Sequence, residues 1–159
     1  MTMFAILGLA LVAALLLLRR WFGPPRGVHF APDDPQLLAA KARARDGMPD
    51  FWAALIAADP ADTDFMIKFN LHHGRAGAAP ESIWARAIER RDGAIHGRLA
   101  NPPLDPAWHE GDAVVIDPAA IDDWCFFRNN VAIGHFITRV MIERSAPRHA
   151  EQARKALGW

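Results

Sequence analysis

Asp64-Phe65-Met66-Ile67-Lys68-Phe69-Asn70-Leu71 is the stretch that decides the fold. Phe65, Ile67, Phe69 and Leu71 alternate with Met66, Lys68 and Asn70, the period of a half-buried strand. The chain before it keeps a different period. Asp34 is placed to cap a helix that begins at Pro35 and ends at Gly47. A second short helix, Pro49–Ala58, carries Phe51, Trp52, Leu55 and Ile56 on one side. The chain after it is mostly extended. His72–Pro80 is a loop with two glycines and a proline. Ser82–Arg91 alternates Ile83, Ala85 and Ala87 against Trp84, Arg86 and Ile88, and Asp92-Gly93 turns it back into Ala94–Ala100, with Gly97 as a bulge. Asn101-Pro102-Pro103 closes that hairpin. Ala113–Ile116 and Ile121–Phe127 read as strands, with a turn at Arg128-Asn129-Asn130. Ile133, Phe136, Ile137, Val140 and Met141 fit a helix, but their β-branched content also fits a strand, so 131–144 stay open. Ser145 and Pro147 mark a last helix ending near Leu157-Gly158. The expectation is α+β: two helices, a small curved antiparallel sheet of about five strands, then C-terminal helical segments.

The chain has 159 residues, 52% apolar, with 18 basic and 18 acidic side chains. That apolar content excludes a disordered chain, and zero net charge leaves no broad footprint for nucleic acid. One cysteine excludes an intramolecular disulfide framework. The average conceals a split. Residues 1–18 hold 16 apolar residues and 7 of the 14 leucines, with no charge. As a helix they span about 27 Å, close to a bilayer core. Arg19, Arg20, Trp21 and Phe22 come next, at headgroup depth. Residues 1–22 are therefore read as an uncleaved transmembrane anchor, its partner the lipid bilayer. Residues 23–32, with Gly23-Pro24-Pro25, form a linker, and 33–159 the domain. Arg19, Arg20, Arg26, Lys41, Arg43 and Arg45 place the domain on the cytoplasmic side of the inner membrane. The alternative is signal-peptide cleavage and a secreted or periplasmic domain. It meets no basic residue before the apolar run and a poor cleavage site after it.

Pro49-Asp50-Phe51-Trp52, Phe65-Met66-Ile67-Lys68 and Glu81-Ser82-Ile83-Trp84 occur in that order. They are followed by Gly97, Asn101-Pro102-Pro103, Gly111-Asp112, Ile121-Asp122-Asp123-Trp124, Gly134 and Thr138-Arg139. In order and spacing this resembles DUF2314, an uncharacterised bacterial family, over roughly residues 36–145. The resemblance implies one compact α+β domain and brings no established activity.

Asp122 and Asp123 are neighbours on a strand, so they face opposite ways and form no dyad. Alternation groups Asp123 with Ile121, Cys125 and Phe127, and a carboxylate among apolar neighbours needs a partner. Arg139 and Lys68 are the candidates. Trp84 and Trp124 fall out of phase with Ile83 and Cys125. They are expected on a shared second face, with Glu81 and Asn101 as a polar rim, where a protein partner or small ligand would bind. His72, His73, His96, His109 and His135 show no ligand spacing, so neither a metal nor another cofactor is expected. Cys125, between Trp124 and Phe126-Phe127, reads as core. Lys41, Arg43 and Arg45 lie near the linker, on a solvated helix face or against headgroups.

The expected function is a binding or scaffolding module at the cytoplasmic membrane face. Its surface is Trp84, Trp124, Glu81, Asn101, Asp123 and Arg139, and nucleic acid is no partner. The alternative is an enzyme in which Asp123 and Glu81 act as acid–base groups and Arg139 steers an anionic substrate. A structural accessory subunit is a third.

Overall fold

The computed structural model describes Ala31 and residues 33–159. The anchor expected at 1–22, and all of the linker at 23–32 except Ala31, lie outside the described residues. Among the described residues no helix is long and apolar enough to cross a membrane.

Helix α1 (Pro35–Asp46) starts as its sequence dictates: the Asp34 carboxylate accepts from the backbone N–H of Gln36 and Leu37, with Pro35 at the first position. Gly47 joins it directly to α2 (Met48–Ala57), which stops at left-handed Ala58. Six strands come next: β1 (Asp62–Asn70), β2 (Ser82–Arg91), β3 (Ala94–Leu99), β4 (Ala113–Ile116), β5 (Ile121–Arg128) and β6 (Val131–Gly134). Helices α3 (Phe136–Glu143) and α4 (Pro147–Ala156) complete the chain. The open segment 131–144 is thus both things in turn. Its first part is the sixth strand, one more than expected, and Gly134 and left-handed His135 turn the chain into α3.

The sheet is open and antiparallel, in the order β4-β3-β2-β1-β5-β6. The stretch 64–71 lies at its centre. Ile67 and Phe69 are buried, and Phe65 and Leu71 pack against the same core. This core joins Phe51, Trp52 and Ala54 of α2 to Ile83, Ala85, Ile88, Ile95, Leu99, Val114 and Ile116 of the sheet.

Three register shifts set which side chains reach the core. On β1 the extra residue falls at Asp64–Phe65, and on β2 at Ala87–Ile88. Asp64 and Ala87 both take positive φ, +53°. On β5 Asp122 is the extra residue. The β2 bulge corrects the expected alternation, since it returns Ile88 to the side of Ile83 and Ala85. The bulge is not at Gly97, which lies opposite it. A Cβ at Gly97 would come within 3.0 Å of Ile88 Cδ1 and 3.1 Å of Ala85 Cβ.

The last helix is not capped by Ser145. Its hydroxyl donates instead to the Met141 carbonyl at the end of α3 (2.7 Å). Beyond α4, Leu157 accepts from Ala132 N–H and the Trp159 indole donates to the Ala132 carbonyl. Residues 157–159 therefore cover the outer edge of β6.

Candidate functional site

The two tryptophans do not share a face. Trp124 is only 3% exposed and lies on the helix-covered side. Its indole N–H donates to the Ala44 carbonyl of α1 (2.7 Å), and its ring sits against Phe51, Phe126 and Phe136. Where α1 meets α2, a Cβ at Gly47 would come 2.9 Å from this ring. The expected common surface fails for a physical reason. The β5 bulge at Asp122 puts Ile121 and Trp124 in the same core, although they are three residues apart. Trp124 thus fastens the α1–α2 corner to the sheet.

Trp84 occupies the other face and is half-buried. It stands directly opposite Lys68, whose Nζ lies 5.7 Å from the ring centroid. Its backbone N–H donates to Asn101 Oδ1 (3.2 Å), and its carbonyl accepts from Ala100. Asn101 therefore acts on the strand that carries Trp84. His135 meets the Trp84 ring edge-on at 5.3 Å and also contacts Phe127 and Trp159. His135 Nδ1 lies 3.1 Å from Thr138 Oγ1. Burial, helped by Arg139 and Lys68, holds this imidazole down to about 4, so it is neutral near pH 7.

Asp123 is fully buried, as its apolar neighbours imply, but Arg139 is not its partner. One carboxylate oxygen accepts from Trp124 and Phe136 N–H, the other from Ile137 N–H (2.8 Å). It thus satisfies the first N–H groups of α3, which has no side-chain cap of its own at His135. Burial pushes this carboxyl above its ordinary range, while the three N–H donors and Lys68 pull it back. The Lys68 ammonium is pushed down by burial and drawn up by Asp123 and Asp122. Arg139 instead donates to the Gly134 carbonyl (3.1 Å) and lies 3.9 Å over the Trp159 ring. Asp122 pairs with Lys41 of α1 (2.6 Å) and accepts from the Ser82 hydroxyl.

Glu81 holds a loop. Its two oxygens accept from Leu104 and Asp105 N–H. His72, in the loop after β1, is half-buried. Its Nδ1 lies 2.7 Å from the Ala79 carbonyl and its Nε2 3.1 Å from Asp105. It joins loop 72–80 to loop 101–112. Cys125 is fully buried, which pushes its thiol up.

Of the six expected site residues, then, Glu81, Asn101, Asp123 and Arg139 bond mainly to backbone atoms. Trp124 is core, and Trp84 alone remains on an open surface. Among the described residues the helices pack mainly on β5 and β1, and on β2, β3 and β4 the side chains of Arg86, Glu89, Arg91, Arg98 and Val115 are exposed. Arg86 is on the side of Trp84, as alternation implies, but its opposition to Arg98 and the place of His135 were not foreseen. Alternation from Trp84 through Arg86 was the available signal for the pair; the turn into α3 left no such signal for His135. Among the described residues no three His, Cys, Asp or Glu side chains cluster as a metal site.

No curated protein and no solved structure matches the chain. One family model does, described as an uncharacterized protein conserved in bacteria, over residues 34–159, from the α1 cap to the last residue. The chain belongs to the DUF2314 family.

Proposed function

We propose that the protein is a binding module tethered to the cytoplasmic face of the inner membrane, and that its recognition surface is the open face of the sheet around Trp84. One observation carries this reading. Trp84 is a large aromatic side chain left half-exposed beside Lys68, with α3 over Asp123 on one side of it and the exposed Arg86 and Arg98 of β2 and β3 on the other. Exposed aromatic rings with a neighbouring cation are favoured anchors for partners. The tether is argued from residues 1–22, with 16 apolar residues in the first 18 followed by Arg19, Arg20, Trp21 and Phe22. The acid–base alternative gains no support from the site. The oxygens of Asp123 and Glu81 serve backbone N–H groups in different places, and Arg139 stacks on Trp159.

The test is crosslinking capture of the full-length chain from native membranes, in parallel with Trp84→Ala and Glu81→Gln. The expected result is one stoichiometric partner that Glu81→Gln retains and Trp84→Ala loses at unchanged melting temperature. Equal capture by Trp84→Ala would overturn the surface. Release of the chain from membranes at alkaline pH would overturn the tether. Cleavage of the domain by protease added from the periplasmic side would overturn its placement in the cytoplasm.

A further inference from the structure

The open face has a charge arrangement that its own fold does not neutralise. Arg86 and Arg98 stand directly opposite one another on β2 and β3, and both are exposed. Like charges at directly opposed positions work against the sheet. Among the described residues the ion pairs of the other cations go elsewhere, and neither arginine has a carboxylate within 4.0 Å. Arg98 gives one N–H to the Gly111 carbonyl and keeps the rest of its fork. Ala113 continues this row on β4. The next row holds Lys68 and Trp84. The row on the other side of the arginines holds Glu89, His96 and Val115, which is 66% exposed. Glu89 is already taken by Arg91 (3.1 Å).

Such a surface selects an anion, and its shape selects which kind. Small ligands need a concave site that buries most of their surface. Here there is a small, half-open groove of about 290 Å³ on a strand surface, lined by His96, Arg98, Ala113 and their neighbours. A bilayer is disfavoured by where the chain enters. Pro35 begins α1, which packs on the opposite side of the sheet through Ala44 and Trp124. An extended polypeptide remains, and the sheet has a place for it. The β6 edge is covered by residues 157–159, whereas among the described residues β4, the other edge, pairs only with β3. A strand added to β4 would set alternate side chains beside Ala113 and Val115 on the open face. Ala113 is small enough for a carboxylate to pass over it to Arg98.

We propose that the open face takes an acidic polypeptide segment, added as an extended strand along β4, with its carboxylates held by Arg98 and Arg86 and an apolar side chain against Val115. This rests on the reading of that face as the recognition surface.

The test uses the full-length chain in nanodiscs of neutral lipid and a fluorescent octapeptide alternating Glu and Val. The expected result is saturable binding that weakens with salt and falls at least about tenfold, one charge-pair's worth, in Arg98→Glu and in Arg86→Glu. Each variant creates an Arg–Glu pair across the strands, so its melting temperature should hold or rise. The double variant should instead bind the Lys–Val peptide. A peptide N-methylated on both edges should not bind. Equal binding of the Lys–Val peptide to the unaltered chain would overturn the proposal. So would displacement by millimolar inorganic phosphate, or binding only in anionic nanodiscs. If the arginine variants keep the captured partner and Trp84→Ala loses it, the acidic segment fails and the recognition face stands. If neither change matters, both fail.

Discussion

At the scale of single residues, the side chains with the most conspicuous chemistry turn out to hold backbone in place. Asp123 is the clearest case. A buried carboxylate is costly unless its lone pairs are used, and Asp123 uses them on three N–H groups from β5 and α3. Asp123→Asn replaces one oxygen by an NH2 that cannot accept. At least one N–H at the start of α3 then loses its partner inside the protein. The expected loss is about 1–3 kcal/mol, read as a lower urea midpoint, while binding at the Trp84 face stays as it was. Unchanged stability would mean that the α3 terminus finds another acceptor. The sequence showed that Asp123 would be buried and would need partners, because alternation fixed its neighbours. It pointed to Arg139 and Lys68, of which Lys68 does stand opposite Asp123, because side-chain cations are visible in a sequence, whereas a backbone N–H freed by a turn at His135 is not.

At the scale of elements, nearly every helix and strand was legible, because each short segment kept one clear period and its own end signals. The Asp34-Pro35 start, the Gly47 joint and the Asp92-Gly93 turn appear where the chemistry requires them. The faces were harder to read. A bulge inserts one residue and reverses the alternation beyond it. Two of the three bulges use Asp64 and Ala87 at positive φ rather than glycine, so no residue type announces them. The Asp122 bulge alone moved Trp124 from the supposed surface into the core. The β6–α3 joint shows what such a position demands. Gly134 has φ +80°, and a Cβ there would come 2.7 Å from Trp124 Cε3 and closer still to the Trp124 carbonyl. Gly134→Ala should therefore be among the most damaging single changes. It should cost more than the 1 kcal/mol or so of an ordinary glycine replacement at positive φ, and show as loss of the cooperative melt or of soluble expression. Gly97→Ala, crowded mainly by side chains, should be milder. Glu81→Ala tests a different element. Without its two oxygens, loop 101–112 should exchange its amide hydrogens faster while the sheet amides keep their protection. Uniform exchange across the domain would show that Glu81 supports more than that loop.

At the scale of the whole molecule, the sheet is a partition with unlike sides. One is packed by α1 and α2 around Trp124; the other is open and basic across β2 and β3. His135 sits where the sheet, α3 and residues 157–159 meet, so its protonation concerns all three. Its folded value of about 4 lies below the 6.5 of an ordinary histidine. The unfolded chain therefore takes up the proton first. Stability from this group is complete above pH 6.5 and is lost as pH falls from 6.5 to about 4. At about 1.4 kcal/mol per unit, the loss is on the order of 3 kcal/mol. Other groups act elsewhere or in the opposite sense. The bond to Ala79 and then Asp105 raise His72, so its contribution is present below 6.5 and fades as pH rises through its folded value. Asp34 and Asp62, lowered by Arg144 and Arg128, and Asp105, lowered first by Ala107 N–H, weaken the fold as pH falls below 3.8. Asp123, raised by burial, works against acid unfolding. The decline between pH 6.5 and 4 therefore belongs to His135, reduced by whatever Asp123 returns. His135→Asn tests this without disturbing the backbone, since asparagine tolerates the φ of +54° at this position. The variant should be less stable than the natural chain at pH 7, through lost contact with Trp84 and Trp159. Its urea midpoint should then change little between pH 6.5 and 4.5, where that of the natural chain falls. Parallel declines in the two proteins would place the acid sensitivity in another group.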